Sequence, residues 1–146
     1  MAAPAHELVG VATARLRSYT ALTSLVPASN IFYRPPASYS PPYVTVDDVS
    51  TRRVDMQCVS GTIVDLTIHV WTDESNPLPN TGGALQDARA IAYEIANALH
   101  DYPLALPSKR LVTLEHRGER VFYDADGVTG HAVIDFEAVI ESSAAL

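Results

Sequence analysis

Cysteine is nearly absent from this chain of 146 residues, and its scarcity limits the chemistry available. A lone thiol, Cys58, cannot form an internal disulfide, and it cannot by itself build a cysteine-based zinc site or a CxxC redox pair. Arg52 and Arg53 lie nearby and could make the thiol reactive, but a catalytic thiol also needs an orienting histidine, which no local signature supplies. We expect neither an oxidising compartment nor thiol catalysis.

Long apolar runs and an excess of positive charge are also missing. No stretch approaches the roughly 20 apolar residues of a membrane-spanning helix, and residues 1–8 lack the features of a signal peptide. Ten Lys and Arg against 17 Asp and Glu give a net charge of −7. Proteins that grip nucleic-acid phosphates normally carry the opposite sign. We therefore expect a cytosolic chain without a membrane anchor and without tight binding to nucleic acid.

The common catalytic and cofactor signatures are absent as well. The chain contains no GxGxxG, GxxxxGK[ST], HExxH or GxSxG pattern. Nothing in the sequence therefore indicates a dinucleotide-binding protein, a P-loop protein, a zinc protease or a serine hydrolase. His69 and His116 could share a sheet face with Asp65 or Glu115 and form a metal or acid–base cluster. Polar residues on the wetter face of an antiparallel sheet are the interpretation we favour. The sequence thus predicts no catalytic residue, no metal and no cofactor.

The residues that are present predict one globular domain over 1–146. Apolar residues make up 47% of the chain and charged residues 18%, well away from the composition of disorder. Apolar spacings of three and four residues predict amphipathic helices over Ala5–Tyr19 and from Gly83 to Leu99 or His100. A short helical turn is expected within Thr20–Val26.

The segment 27–42 holds five of the ten prolines, which exclude a helix and a central strand there. We predict an extended surface connection. Tyr33, Tyr39 and Tyr43 alternate with the prolines. These rings either form an adhesive arm for a partner or hold the segment against its own domain, and the sequence leaves both open.

Strand patterns occur on both sides of the second helix. Tyr43–Val49 and Thr62–Trp71 precede it, and strict alternation in Thr62–Trp71 places Thr62, Val64, Leu66, Ile68 and Val70 on one core face. The polar stretch 50–61 between them is expected to be a projecting hairpin or a flexible loop.

Three further strands are predicted after the second helix. They are Arg110–Arg117, Glu119–Tyr123 and Thr129–Glu141, with an Asp-Gly turn at 124–127 between the last two. The expected fold class is α+β, a mainly antiparallel sheet with two helices packed on one face.

The order of these pieces resembles the small tail-completion or tail-terminator proteins of long-tailed phages and of phage-derived particles such as gene transfer agents. The resemblance covers about residues 8–140. It rests on Leu16 in the first helix, Ala21-Leu22-Thr23-Ser24-Leu25-Val26, Pro42-Tyr43-Val44, His69-Val70-Trp71-Thr72-Asp73, Ala88-Arg89-Ala90-Ile91-Ala92 with Ala98-Leu99, Arg110-Leu111-Val112 and Asp124-Ala125-Asp126-Gly127.

The resemblance implies an assembly protein without catalysis. Its copies would form a hexameric ring on the last ring of the tail tube, stop tube polymerisation and present a surface to the head-tail connector or stopper protein. DNA would only pass through the ring, and the protein would reside at the head-proximal end of the virion tail after assembly in the host cytoplasm.

Candidate contact residues follow from where the predicted loops and rings lie. Contacts with subunits or partners are expected at exposed arginines, carboxylates and aromatic rings, namely Arg52, Arg53, Asp55, Tyr39, Trp71, Asp73 and Glu74. Carboxylates that would line the lumen and repel DNA are Asp47, Asp48 and Asp65. Two alternatives remain at this point: a head-tail connector or stopper subunit, and a small ligand-binding or metal-dependent α+β enzyme that uses His69 and His116.

Overall fold

The computed structural model describes residues 2–56, 59–79 and 82–142. Cys58, considered above as a reactive thiol, lies outside these ranges. The elements in chain order are α1 (Pro4–Ser18), α2 (Thr20–Thr23), a 3-10 turn (Ala28–Asn30), β1 (Ile31–Phe32), β2 (Tyr43–Met56), β3 (Val59–Asp73), α3 (Ala84–Leu99), β4 (Lys109–Tyr123) and β5 (Thr129–Ser142).

The strands form one five-stranded sheet in the order β1-β2-β3-β5-β4. Only the short β1 runs parallel to its neighbour, and the other three pairings are antiparallel. The alternation read from the sequence is confirmed in β3, where Val64, Leu66, Ile68 and Val70 are fully buried. The core face of the sheet is therefore set by a period of two along this strand.

Both long helices pack on this core face. Leu8, Ala12 and Leu16 of α1 and Ile91 and Ile95 of α3 join the strand residues in one continuous apolar cluster. The expected helices and the expected α+β class are thus confirmed, with bounds that differ by one residue or so. Within the described ranges no helix is long and apolar enough to cross a bilayer.

The N-terminal helix is also joined to the far edge strand by polar contacts. The buried carboxylate of Glu7 accepts hydrogen bonds from the backbone N–H and the hydroxyl of Ser108, and the Lys109 ammonium lies 2.9 Å from it. These bonds lower the pKa of Glu7 to about 2. A buried charge is tolerated here because it is paired and hydrogen-bonded.

The hairpin of β2 and β3 is longer than the sequence indicated. The strand expected to end at Val49 continues to Met56, and Arg52, Arg53 and Asp55 pair with Ile63, Thr62 and Ser60. Ser60 also pairs with Ser142 of β5, so β3 stays joined to β5 up to this end of the hairpin. The polar side chains of β2 lie on a solvent-exposed strand. The strand propensities of the residues do not distinguish such a strand from a loop.

The prediction of two separate strands, Arg110–Arg117 and Glu119–Tyr123, is wrong. β4 runs without a break from Lys109 to Tyr123, and its pairing with β5 shifts register between Leu111 and Thr113 and between His116 and Gly118. Each bulge inserts one residue and changes which side chains face the core. The alternation therefore looks interrupted at Gly118 although the strand continues.

The proline-rich segment contains one short strand. β1 lies within it and is held at the sheet edge by Arg17, whose guanidinium donates to the carbonyl of Ile31. The Asn30 side chain donates to the carbonyls of Ser40 and Pro42 and closes the segment on itself. A strand of two residues at an edge is compatible with the prolines that follow it.

Candidate interaction surface

The helices leave the opposite face of the sheet uncovered, and we call it the outer face. Side chains at odd-numbered positions of β3 reach it, including Asp65, Thr67, His69 and Trp71. Because strand side chains alternate between faces, the partners of these residues on β2, β5 and β4 lie on the same surface. Two rows of side chains cross this face, one charged and one aromatic.

The charged row consists of Arg52, Asp65, Glu137 and Arg117, one residue from each long strand. Arg52 lies 2.6 Å from the Asp65 carboxylate and 3.4 Å from that of Glu137, and Arg117 lies 2.9 Å from Glu137. The hydrogen bond from Arg117 lowers the pKa of Glu137. The row is thus a network of alternating charges within one chain.

The aromatic row consists of Tyr43, Trp71, His131 and Phe122. Trp71 stacks between Tyr43 and His131, with ring centroids 5.0 and 4.6 Å apart, and Phe122 contacts His131 at 5.0 Å. Tyr39 meets Tyr43 edge to face at 4.3 Å, so this ring packs on its own domain. Burial raises the pKa of Tyr43.

Two histidines stand next to each other beside the aromatic row. The Nδ1 atom of His69 is 2.9 Å from Nε2 of His131, and the remaining nitrogens meet Asp48 at 2.8 Å and Asp124 at 3.2 Å. Burial lowers the pKa of His131, an effect that its bond with Asp124 partly opposes.

The remaining expected contact residues lie elsewhere. Asp73 ends β3 and accepts two hydrogen bonds from Ser75, while Glu74 accepts from the N–H of Ala84 at the start of α3 and from the Tyr123 hydroxyl. Arg53 and Asp55 form an ion pair near the end of β2. Asp47 is exposed at the irregularity of β2 between Thr45 and Asp48.

The structure does not bring His69 and His116 together. His69 is on the outer face, whereas His116 pairs with Phe136 and contacts that buried ring on the other face. β5 also separates their two strands in the sheet. Among the residues that the structure describes, no group of three or more His, Cys, Asp and Glu side chains is arranged to hold a metal ion.

Sequence reasoning missed the contributions of β5 and β4 to this surface, above all His131, Glu137 and Arg117. Alternation within Thr129–Glu141 places residues 131, 133, 135 and 137 on one face, and that signal was available. The pairing of β3 with β5 joins residues more than 60 positions apart, such as His69 and His131. No local pattern specifies that register.

Two open grooves flank α1 on the helical side of the molecule. One of about 590 Å³ is lined by His6, Tyr33, Arg34 and Asp47, among others. The other, of about 400 Å³, lies between α1 and the residues Pro107 and Ser108.

These observations define a class of protein: a small α+β domain with helices on one face of its sheet and an uncovered face patterned by charged and aromatic rows. The chain matches the family described as Tail completion protein gp17 over residues 12–141, and it belongs to that family. It is accordingly a structural protein of the virion tail.

The fold has a counterpart of known structure. A chain in the structure described as the virion of native gene transfer agent (GTA) particle superposes with a TM-score of 0.83 and is 22% identical. The alignment covers 97% of this chain and 100% of that one, so the two share the whole fold. A comparison with curated proteins finds no match.

Proposed function

We propose that this protein assembles as a hexameric ring on the last ring of the tail tube, stops tube polymerisation and joins the tail to the head connector. The observation that carries the proposal is membership of the tail completion family over residues 12–141. DNA passes through the ring without specific binding, and the protein acts without a cofactor.

The shape of the sheet supports a ring. Its two edges differ, because one is β4 over its full length and the other is β1 followed by the uncovered part of β2. A contact between two different surfaces of neighbouring subunits is heterologous, and it closes into a ring when the rotation per subunit fits.

The charge supports passage of DNA. Each chain carries −7, and a ring multiplies that charge around one channel. We place Asp47, Asp48 and Asp65 at the lumen. Asp65 is offset by Arg52 at 2.6 Å and Asp48 is bonded to His69, which leaves the exposed Asp47 as the strongest source of repulsion.

The contact between subunits is proposed to centre on the end of the β2 and β3 hairpin, together with α3. Arg53 is the best candidate there, because its side chain is 77% exposed and its ion-pair partner Asp55 is itself 56% exposed. Arg52 is bound to Asp65 and Glu137 of its own chain and therefore contributes less to a neighbour.

Contacts with the tube and the connector are proposed at the other end of the outer face. Trp71 and Tyr39 belong to the aromatic cluster there, and Asp73 and Glu74 lie at the loop that leads into α3. Aromatic rings at the centre and charges at the rim are the usual composition of a protein interface.

The test is the mass of the protein free in solution and bound to purified tail tubes, combined with electron microscopy of the tube ends. We expect one ring of six copies at one end of each tube, whatever the state of the free protein. A protein that does not bind tubes, or that turns over a small molecule, would contradict the proposal.

A further inference from the structure

Four side chains of the outer face form one continuous line of polar contacts. Asp48 of β2 meets His69 of β3, His69 meets His131 of β5, and His131 meets Asp124 in the turn between β4 and β5. The two rings are largely buried, with 21% and 14% of the side-chain surface exposed. The proposed ring assembly does not require this arrangement.

Counting hydrogens shows that two neutral rings do not fit these contacts. An ionised carboxylate can only accept hydrogen bonds, so His69 Nε2 and His131 Nδ1 must each carry a hydrogen. A neutral imidazole has one such hydrogen. If both rings were neutral and each donated its one hydrogen to a carboxylate, His69 Nδ1 and His131 Nε2 would direct unshared electron pairs at each other across 2.9 Å. That contact is repulsive unless a cation lies between the nitrogens.

We propose that His69 and His131 share one additional proton between His69 Nδ1 and His131 Nε2, so that the pair carries a single positive charge held between Asp48 and Asp124. With three hydrogens on four nitrogens, every contact in the line has one donor and one acceptor. The two carboxylates balance the charge. The proton is the fitting cation, since the described residues offer these two nitrogens and no third ligand for a metal.

The surroundings hold the pair at one added proton. Asp48 and Asp124 contact the outer nitrogens of the pair and favour a cation there. Burial, His69 and Arg120 of β4 lower the pKa of His131, so they oppose a full positive charge on that ring. On the remaining sides lie Trp71 and Phe122 of the aromatic row, and burial of the site acts in the same direction as Arg120.

The shared proton makes this end of the outer face sensitive to pH in both directions. Loss of the proton in alkaline solution leaves two electron pairs facing each other, and a second proton in acid leaves two N–H groups facing each other. Either change removes the bond between β3 and β5 side chains next to Trp71. The aromatic cluster around Trp71, which we place toward the tube and connector, is thus most ordered when the histidine pair holds a single charge.

The experiment is a pH titration of the uniformly ¹⁵N-labelled full-length protein by NMR of the imidazole nitrogens, in buffer treated with a chelator. At pH 7 we expect three protonated nitrogens in the pair and an N–H signal correlated with both rings. Two neutral rings, or two fully charged rings, at pH 7 would overturn the proposal. The wild-type spectrum alone decides this, whatever the stability of any variant.

Matched variants locate the proton. His69→Gln keeps a donor for Asp48, and His131→Asn keeps a donor for Asp124, while each removes the nitrogen that faces the other ring. Both should abolish the shared signal, and the remaining ring should titrate in a single step. His6→Gln, at an exposed histidine away from the pair, should leave the signal intact. Persistence of the signal in either pair variant would contradict the assignment.

Discussion

Gly130 is the residue at which the start of β5 passes closest to the start of α3. A Cβ atom there would lie 2.8 Å from the carbonyl oxygen of Ala84 and closer still to the Thr72 hydroxyl. That hydroxyl is bonded to the same carbonyl at 2.7 Å, so moving either group away from a new Cβ would disturb this buried hydrogen bond. The absence of a side chain at position 130 lets the helix approach the sheet.

We expect Gly130→Ala to destabilise the fold by about 1–3 kcal/mol, as overpacking of a filled site does. Gly10→Ala in α1 is the matched control, because the described residues place no atom outside the local helix backbone within 4 Å of its Cβ position, and alanine favours the helix by about 0.5–1 kcal/mol. Urea unfolding of both variants measures the effects. A Gly130→Ala protein as stable as the wild type would show that the approach is not tight.

The lowered pKa of Glu7 leads to a second prediction, which concerns how stability depends on pH. Hydrogen bonds from Ser108 and the ion pair with Lys109 lower its pKa from 4.5 to about 2. The folded state therefore binds this proton more weakly than the unfolded chain does. The resulting stabilisation is complete above pH 4.5 and is lost as the pH falls toward 2.

Comparison of the wild type with Glu7→Gln over this pH range tests the effect. The difference in unfolding free energy should be greatest near neutral pH and should shrink between pH 4.5 and 2. Glu94→Gln on α3 provides the control, since the Glu94 carboxylate meets only a surface contact from Asn97 in the described contacts. A gap for Glu7→Gln that stays constant with pH would contradict the assigned pKa.

At the scale of elements, the β2 and β3 hairpin carries the proposed contact between subunits. Arg53→Glu should weaken ring formation about tenfold or more, because a like-charge contact costs upwards of about 1.4 kcal/mol. Folding should change little, since Arg53 is highly exposed. Ring assembly measured by analytical ultracentrifugation or on tail tubes gives the result.

Two further variants sharpen the test of the hairpin. Exchanging the charges, with Arg53→Asp and Asp55→Arg together, keeps the pair within the chain but reverses both charges toward a neighbour, so it should also impair assembly. Arg34→Glu makes the same charge change in the proline-rich segment and should have no effect. Normal rings from the Arg53 variants would exclude the hairpin as an essential contact.

The elements that the sequence predicted well are those specified by local periodicity. The apolar stripes of α1 and α3, the alternation of Thr62–Trp71 and the Asp-Gly turn at 124–127 all depend on residues within one element or turn, and each is confirmed. The bulges of β4 and the polar end of β2 interrupt the alternation of apolar and polar residues by which a strand is predicted. The sequence predicts the end of a strand at each of these places, although pairing with a neighbouring strand continues through it.

The candidate surface was harder to predict than the fold because it depends on which strands are neighbours. Trp71 and Asp65 were identified from β3 alone. Their partners His131 and Glu137 come from β5, which follows α3 and β4 in the chain but lies between β3 and β4 in the sheet. The contacts of Arg52 with Asp65 and of His69 with Asp48 depend on this register.

At the scale of the whole assembly, the lumen is expected to repel DNA. Asp47→Lys should retard DNA passage and leave DNA in the particles, since it replaces the exposed carboxylate that lacks an ion-pair partner among the described residues. Asp47→Asn, which removes the negative charge without reversing it, should have a smaller effect on passage than Asp47→Lys. DNA delivery per particle is the measurement, with tail length checked in parallel. Unchanged delivery from Asp47→Lys particles would count against a repulsive lining.

The central claim is that this chain ends the growth of the tail tube by its geometry and does no chemistry. The most direct test is the distribution of tail lengths, seen by electron microscopy, in particles assembled with and without the protein. The account predicts overlong tails and empty junctions when it is missing, and tails of one length when it is restored. Tails of normal length on heads that leak DNA would contradict the account and would indicate a stopper subunit.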